Sequence, residues 1–135
     1  MSRLFKSLAA ITLGLTCATS MAATPPRQLV THNLTDVESN AFVAGTIPSQ
    51  HPTKAHSDGK VIWTEVRMAC FGHTVNGKCA ALIKMATGPN DGGTPVELGT
   101  IILDLNSGEM TPSQLTANGY TMRVNGPGEA TISKQ

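Results

Sequence analysis

Lys60–Thr87 reads KVIWTEVRMACFGHTVNGKCAALIKMAT, and this stretch decides the predicted fold. Two runs of alternating side chains flank a loop, and each run has a cysteine at its loop end, Cys70 or Cys79. If the cysteines face each other in an antiparallel hairpin, one face of the pair is apolar. The other face then sets Glu65 opposite Lys84, a favourable cross-strand pair. The sequence therefore predicts a disulfide-tied hairpin and, with it, an all-β fold.

A second pairing register is possible for the same hairpin. Asn76-Gly77 is a dipeptide that two-residue type I′ turns prefer. A turn centred on it would set Cys79 opposite Thr74 and separate the two cysteines along the hairpin. We favour the cysteine register because it satisfies both faces, with Asn76-Gly77 as a bend inside the longer loop Phe71–Lys78.

The first 22 residues have the features of a secretory signal peptide. Arg3 and Lys6 precede an apolar run, Leu8–Ala18, and Ser20-Met21-Ala22 is a small-x-small cleavage site. Cleavage removes one of the three cysteines, so Cys70 and Cys79 remain in an oxidising compartment, where a disulfide is expected. We expect a periplasmic or secreted protein.

The mature chain, residues 23–135, is predicted to be a single domain. The full sequence has a net charge of +1, and loss of Arg3 and Lys6 leaves it close to neutral. Bulk electrostatics therefore favours neither nucleic acid nor an anionic membrane as a partner. The sequence after the signal peptide has no apolar run of the roughly 20 residues that a bilayer span needs, so no membrane insertion is expected.

Turn-forming residues divide the mature chain into short strand-like runs. Val96–Asn106 is apolar on both faces and is predicted to be a central strand. Thr111–Gly119 has the signals of a short helix, with Pro112 at the first helical position and Gly119 as the stop. The other predicted strands are Gln28–Leu34, Asn40–Ile47, Tyr120–Asn125 and Ala130–Lys134. About seven strands and one short helix predict an antiparallel β-sandwich, immunoglobulin-like in general architecture, with a small β-barrel as the alternative.

Pro48–Gly59 is predicted to be a long surface loop that carries the weak candidates for a metal site. His51 and His56 share it with Asp58, and zinc or copper would use imidazole and carboxylate ligands. Their spacing follows no fixed ligand pattern, so solvated side chains are the favoured interpretation and no cofactor is expected. A metal-binding protein or small metal-dependent hydrolase, to which His73 could contribute, is the alternative. The sequence contains no common catalytic motif, and no catalytic residue is assigned.

Trp63, Phe71, His73 and Lys78 are the candidate binding residues. In the favoured register Trp63 lies away from the disulfide, where it either packs against a loop or forms a half-exposed binding patch. The other three belong to the tied loop, whose closed base lowers the ordering entropy of binding. We therefore predict a non-enzymatic binding module that recognises an extracellular or host protein or glycan through this tied loop and the long Pro48–Gly59 loop. A protease inhibitor that presents the same loop is a further alternative.

Three segments carry a family resemblance: Met68–His73, Lys84–Thr87 and the closing Thr111–Thr131. Through them the chain resembles small proteins of unknown function that gram-negative bacteria export by type II secretion. The resemblance implies export beyond the periplasm and a role outside the cell, in association with virulence towards a host. It implies no site residue.

Overall fold

The computed structural model describes residues 24–135, and the predicted signal peptide lies outside these described residues. The elements are β1 Gln28–Asn33, β2 Ser39–Val43, β3 Ile47–Pro48, β4 Ser57–Ile62, α1 Trp63–Cys70, β5 Thr74–Val75, β6 Lys78–Met85, β7 Val96–Asp104, β8 Met110–Thr111, β9 Gln114–Ala117, β10 Tyr120–Gly126 and β11 Glu129–Lys134. No helix within this range is long and apolar enough to cross a membrane.

The strands form two sheets packed face to face, which confirms the predicted β-sandwich. One sheet has the order β4-β1-β11-β10-β9, and the other has the order β3-β2-β6-β7-β8 with β5 paired to β6. The alternative of a small barrel is wrong, because the strands of residues 24–135 form two separate sheets with free edges. Short strands with one apolar face each bury that face against the opposite sheet.

The five-stranded sheet joins the two ends of the described chain. β1 pairs with β11 in parallel and with β4 in antiparallel orientation. Asp58 of β4 lies directly opposite His32 of β1 in this register. Ala130 and Ile132 of β11 are buried between the sheets.

The six-stranded sheet is built around the long pair β6 and β7. The prediction that Val96–Asn106 forms a central strand is confirmed, because β7 lies between β6 and β8. Leu98, Ile101 and Leu103 of β7 are buried in the core. The predicted strand Asn40–Ile47 is divided by a turn into β2 and β3.

The hairpin predicted within Lys60–Thr87 is wrong, although its disulfide is present. The first half is helix α1, whose buried residues Trp63, Val66 and Cys70 recur at helical spacing. The strand before this helix belongs to the five-stranded sheet, whereas β6 belongs to the other sheet. The predicted pair of Glu65 and Lys84 is therefore not formed.

The turn at Asn76-Gly77 follows the alternative register and not the favoured cysteine register. Thr74 pairs with Cys79 in a two-residue hairpin between β5 and β6. The φ angles of 54° at Asn76 and 75° at Gly77 are those that a type I′ turn requires. The disulfide joins the helix to this hairpin, with the Cα atoms of Cys70 and Cys79 6.0 Å apart.

The helix predicted at Thr111–Gly119 is also wrong. Its residues form β8 and β9, and β9 pairs with β10 across a second two-residue turn at Asn118-Gly119. Both turn residues have positive φ, 52° and 87°. Pairing with neighbouring strands therefore overrides the local helix signals.

The two sheets come together closely where β9 lies on β7. A Cβ atom added at Gly99 of β7 would lie 3.0 Å from Cδ2 of Leu115 of β9, so the leucine side chain packs directly on the β7 backbone. We call this side of the sandwich the closed edge. The opposite side, with β4 in one sheet and β3 in the other, is the open edge.

Candidate functional site

Helix α1 connects the two sheets at one end of the sandwich. It begins directly after β4 and is joined at its last residue, Cys70, to Cys79 of β6 by the disulfide. The indole N–H of Trp63 and the guanidinium of Arg67 both donate hydrogen bonds to the carbonyl of Leu105, at 3.0 and 2.8 Å. The disulfide and these two side-chain hydrogen bonds hold the helix against the six-stranded sheet and the loop that follows β7.

Three large apolar side chains are exposed around the disulfide. The exposed fractions are 74% for Met68, 84% for Phe71 and 73% for Val75. We call these three residues the disulfide patch. The backbone beneath it is fixed, because Phe71 donates to the carbonyl of Met68 at 3.2 Å and His73 donates to that of Cys70 at 2.9 Å. A rigid exposed apolar surface of this kind is typical of an interaction site.

The predicted binding residues lie in two different environments. Phe71, His73 and Lys78 are exposed on the tied loop. Trp63 is only 6% exposed, so the packed alternative for this residue is the one observed and its ring belongs to the core. Lys84 lies on β6 with its ammonium 4.6 Å from the ring centroid of Phe42, which replaces the partner predicted for it.

A cavity of about 630 Å³ lies between the sheets at the open edge. It extends from β3 and β4 inward past β1, β2 and β6 to β7 and β10, and its lining is mainly aliphatic. Val66 of the helix faces it from the end of the sandwich. The volume is within the range of about 300–1,000 Å³ that is typical of small-molecule sites.

A histidine and a glutamate meet at the mouth of this cavity. Nε2 of His51, in the loop after β3, lies 2.8 Å from Oε2 of Glu65 on α1. Both side chains line the cavity and both are half-exposed. An exposed pair of this type contributes little to stability, about 0–1 kcal/mol, so the two side chains can separate readily.

A histidine with two carboxylates lies on the outer face of the five-stranded sheet. His32 of β1 contacts Asp58 of β4 through Nδ1 at 2.7 Å and Glu129 of β11 through Nε2 at 2.6 Å. The hydrogen bond with Glu129, and then that with Asp58, raises the pKa of His32 above its usual 6.5. The imidazolium therefore joins three neighbouring strands.

Sequence reasoning did not identify His32 and Glu129 as a pair. They become neighbours through the parallel pairing of β1 with β11, which joins segments almost one hundred residues apart. The signal that could have been used is the pairing of β1 with β4. If Ser57–Ile62 is assigned as a strand beside β1, His32 and Asp58 lie opposite each other. The start of that strand lies inside the predicted loop Pro48–Gly59, so the pair was not predicted.

The candidate metal ligands are not brought together. Asp58 is hydrogen-bonded to His32, His51 has Nε2 2.8 Å from Oε2 of Glu65, and His56 is exposed on a turn with a φ of 53°. Within residues 24–135, no group of three or more His, Cys, Asp and Glu side chains is placed to hold a metal ion.

Two comparisons with known proteins give one family. The family described as "T2SS substrate NttC" matches residues 1–135. The solved structure described as "Crystal structure of the Legionella pneumophila type II secretion system substrate NttC" is 54% identical to this chain, with a TM-score of 0.77. That match covers 82% of this chain and 99% of the other. Among curated proteins no match is found.

These findings confirm the resemblance predicted from the sequence. The family matches the whole chain, and the solved relative has the same two-layer fold over nearly all of its own length. The chain therefore belongs to the NttC family of type II secretion system substrates and is a secreted protein.

Proposed function

We propose that this secreted protein is a non-enzymatic binding module that recognises an extracellular or host protein through the disulfide patch. The observation that carries the proposal is the exposure of Met68, Phe71 and Val75 on a loop closed by a disulfide. Aromatic residues and methionine are enriched in protein–protein interfaces, where a few of them supply most of the binding energy. The fixed backbone lowers the entropy lost on association.

The chemistry of the patch favours a protein over a glycan. Phe71 is the one aromatic ring in the patch, and its neighbours Met68 and Val75 are aliphatic, which suits an apolar protein surface. His73 and Lys78 are exposed beside the patch and add polar and positive groups at its rim. Rim charges of this kind affect the association rate and specificity more than the affinity.

The test is a photo-crosslinking experiment with the intact, oxidised protein. A crosslinker at position 75 should capture a defined protein from the medium or from the surface of a host cell. Phe71→Ser should then weaken binding of the purified partner by about 2 kcal/mol, or roughly thirtyfold, because a central anchor is lost. Replacing His73 and Lys78 together should weaken capture less.

Leu34→Ser is the matched control. Leu34 is 61% exposed but follows β1 at the end away from α1, since Gln28 at the other end of β1 pairs with the residue that precedes the helix. This variant removes an exposed apolar side chain without changing the patch, and it should bind as the unmodified protein does. Equal binding by the Phe71 and Leu34 variants would contradict the proposal.

A further inference from the structure

We propose that the cavity at the open edge binds one unbranched aliphatic chain that ends in a carboxylate, such as a fatty acid. This inference goes beyond the proposed function and does not depend on it. It rests on the space between the sheets rather than on the disulfide patch, and only Met68 belongs to both sites.

Small side chains leave the space between the sheets unfilled. Four alanines on four different elements line it: Ala41 of β2, Ala69 of α1, Ala81 of β6 and Ala130 of β11. Protein cores are otherwise packed as densely as organic crystals, and an empty apolar space lowers stability. Small side chains facing one cavity from both sheets are therefore typical of a site that a ligand completes.

The lining of the cavity suits an aliphatic ligand. Val, Ile, Leu, Met and Ala form most of it, and the described residues that line it include no Phe, Tyr or Trp; the imidazole of His51 lies at the mouth. A flat ring would find no stacking partner there, whereas a flexible hydrocarbon chain can follow the curved space between twisted sheets. Aliphatic surface of this kind favours ligands through burial of apolar area.

Polar groups of the lining lie together at the mouth of the cavity. Ser49, Gln50 and His51 lie together on the loop after β3, and Glu65 faces them from α1. The imidazole of His51 already holds the carboxylate of Glu65 at 2.8 Å. Because both side chains are half-exposed, a ligand carboxylate can take that place on His51 while Glu65 turns into solvent. The aliphatic part of the ligand would then extend inward from this mouth.

The experiment measures binding of octanoate, dodecanoate and hexadecanoate to the secreted protein, by calorimetry and by native mass spectrometry after bound lipid is removed. We expect one ligand per chain and an affinity that increases with chain length, because each added methylene buries more apolar surface. Absence of saturable one-to-one binding by all three acids would overturn the proposal.

Ala81→Phe tests the location of the site. The added ring should fill part of the cavity and weaken binding of dodecanoate by about tenfold or more, because several methylene contacts are lost. Ala80→Phe is the matched control, since neighbouring residues of a strand point to opposite faces and Ala80 points away from the cavity. A folded Ala81→Phe variant that binds as tightly as the control would place the ligand elsewhere and overturn the proposal.

His51→Gln tests the carboxylate and does not depend on the folding of a core variant. Dodecanoate should bind about three- to fivefold more weakly to it, the scale of an exposed ion pair, whereas dodecanol should bind equally to both proteins. His73→Gln, at an exposed position of the tied loop, should change neither. Equal affinities of dodecanoate for the His51 variant and the unmodified protein would overturn the assignment of the ligand's charged end.

Discussion

The two edges of the sandwich are held together by different interactions. At the closed edge, Leu115 packs on the backbone of β7 at Gly99. At the open edge the sheets enclose the cavity, and the connections between them include helix α1, the disulfide, the exposed pair of His51 and Glu65, and the buried Thr53, which pairs with Ser39 of β2 and packs on Gly59 of β4. Apolar packing cannot be opened without a large loss of stability, whereas an exposed ion pair can. The difference indicates that one edge stabilises the fold and the other is available for binding.

Gly99→Ala should produce the largest loss of stability. Gly99 has a φ of 142°, a conformation that side chains disfavour, and its added Cβ would lie 3.0 Å from Cδ2 of Leu115. Backbone strain and displacement of the leucine should together lower the free energy of unfolding by about 2–4 kcal/mol. Urea unfolding of the variant and the unmodified protein measures the difference.

Gly93→Ala is the control for this substitution. A Cβ added at Gly93 meets no atom within 4 Å, so the change should alter the unfolding free energy by less than about 0.5 kcal/mol. Equal losses in the two variants would mean that the closed edge is not the tightly packed side of the sandwich.

Reduction of the disulfide should have the next largest effect. The link between Cys70 and Cys79 closes a short loop, with a sequence separation of 9, and its loss should cost roughly 2–3 kcal/mol on the chain-entropy view. The effect should be local to the open edge. Amide hydrogen exchange in the reduced protein should increase in α1 more than in β9. An equal increase in both elements would contradict the proposed division of the molecule.

Much of the fold could be predicted from the sequence because β-sandwich signals are repeated along the chain. Short runs such as Val96–Asn106, separated by turn residues, predicted the two-layer architecture, and the cysteine count predicted the disulfide. The residue-by-residue pairing of the strands could not be predicted in the same way. Asn76-Gly77 and Asn118-Gly119 both form two-residue turns, but the paired cysteines and the helix-capping pattern in the same segments predict other structures.

Helix α1 shows why local signals were insufficient at the candidate site. It has no side-chain cap at Ile62, so the usual signal for the start of a helix is missing. The alternation of apolar and polar side chains in its sequence is also compatible with a strand. Its buried residues, Trp63, Val66 and Cys70, follow a helical period that extends over only two turns. The cavity and its mouth depend on this helix, so neither could be predicted from the sequence.

His32→Gln should produce the smallest of the three effects, because the cluster is partly exposed. His32 connects β4, the strand of the open edge, to β1 and β11. Its pKa in the folded protein is raised above 6.5, chiefly by the hydrogen bond with Glu129, so folding favours the protonated ring. The stabilisation is therefore fully present below pH 6.5 and is lost as the pH rises through the raised pKa.

The measurement is the thermal unfolding midpoint of both proteins from mildly acidic to alkaline pH. The unmodified protein should be the more stable at acidic pH, and the gap between the two should narrow as His32 loses its proton. His56→Gln, at an exposed position just before β4, is the control and should show no such trend. A gap that widens with pH would mean that the imidazolium of His32 does not stabilise β4 through Asp58 and Glu129. On that sheet, β4 would then be held to β1 by backbone pairing alone. The open edge would be less strongly held together than the cluster suggests, and its difference from the closed edge would be greater.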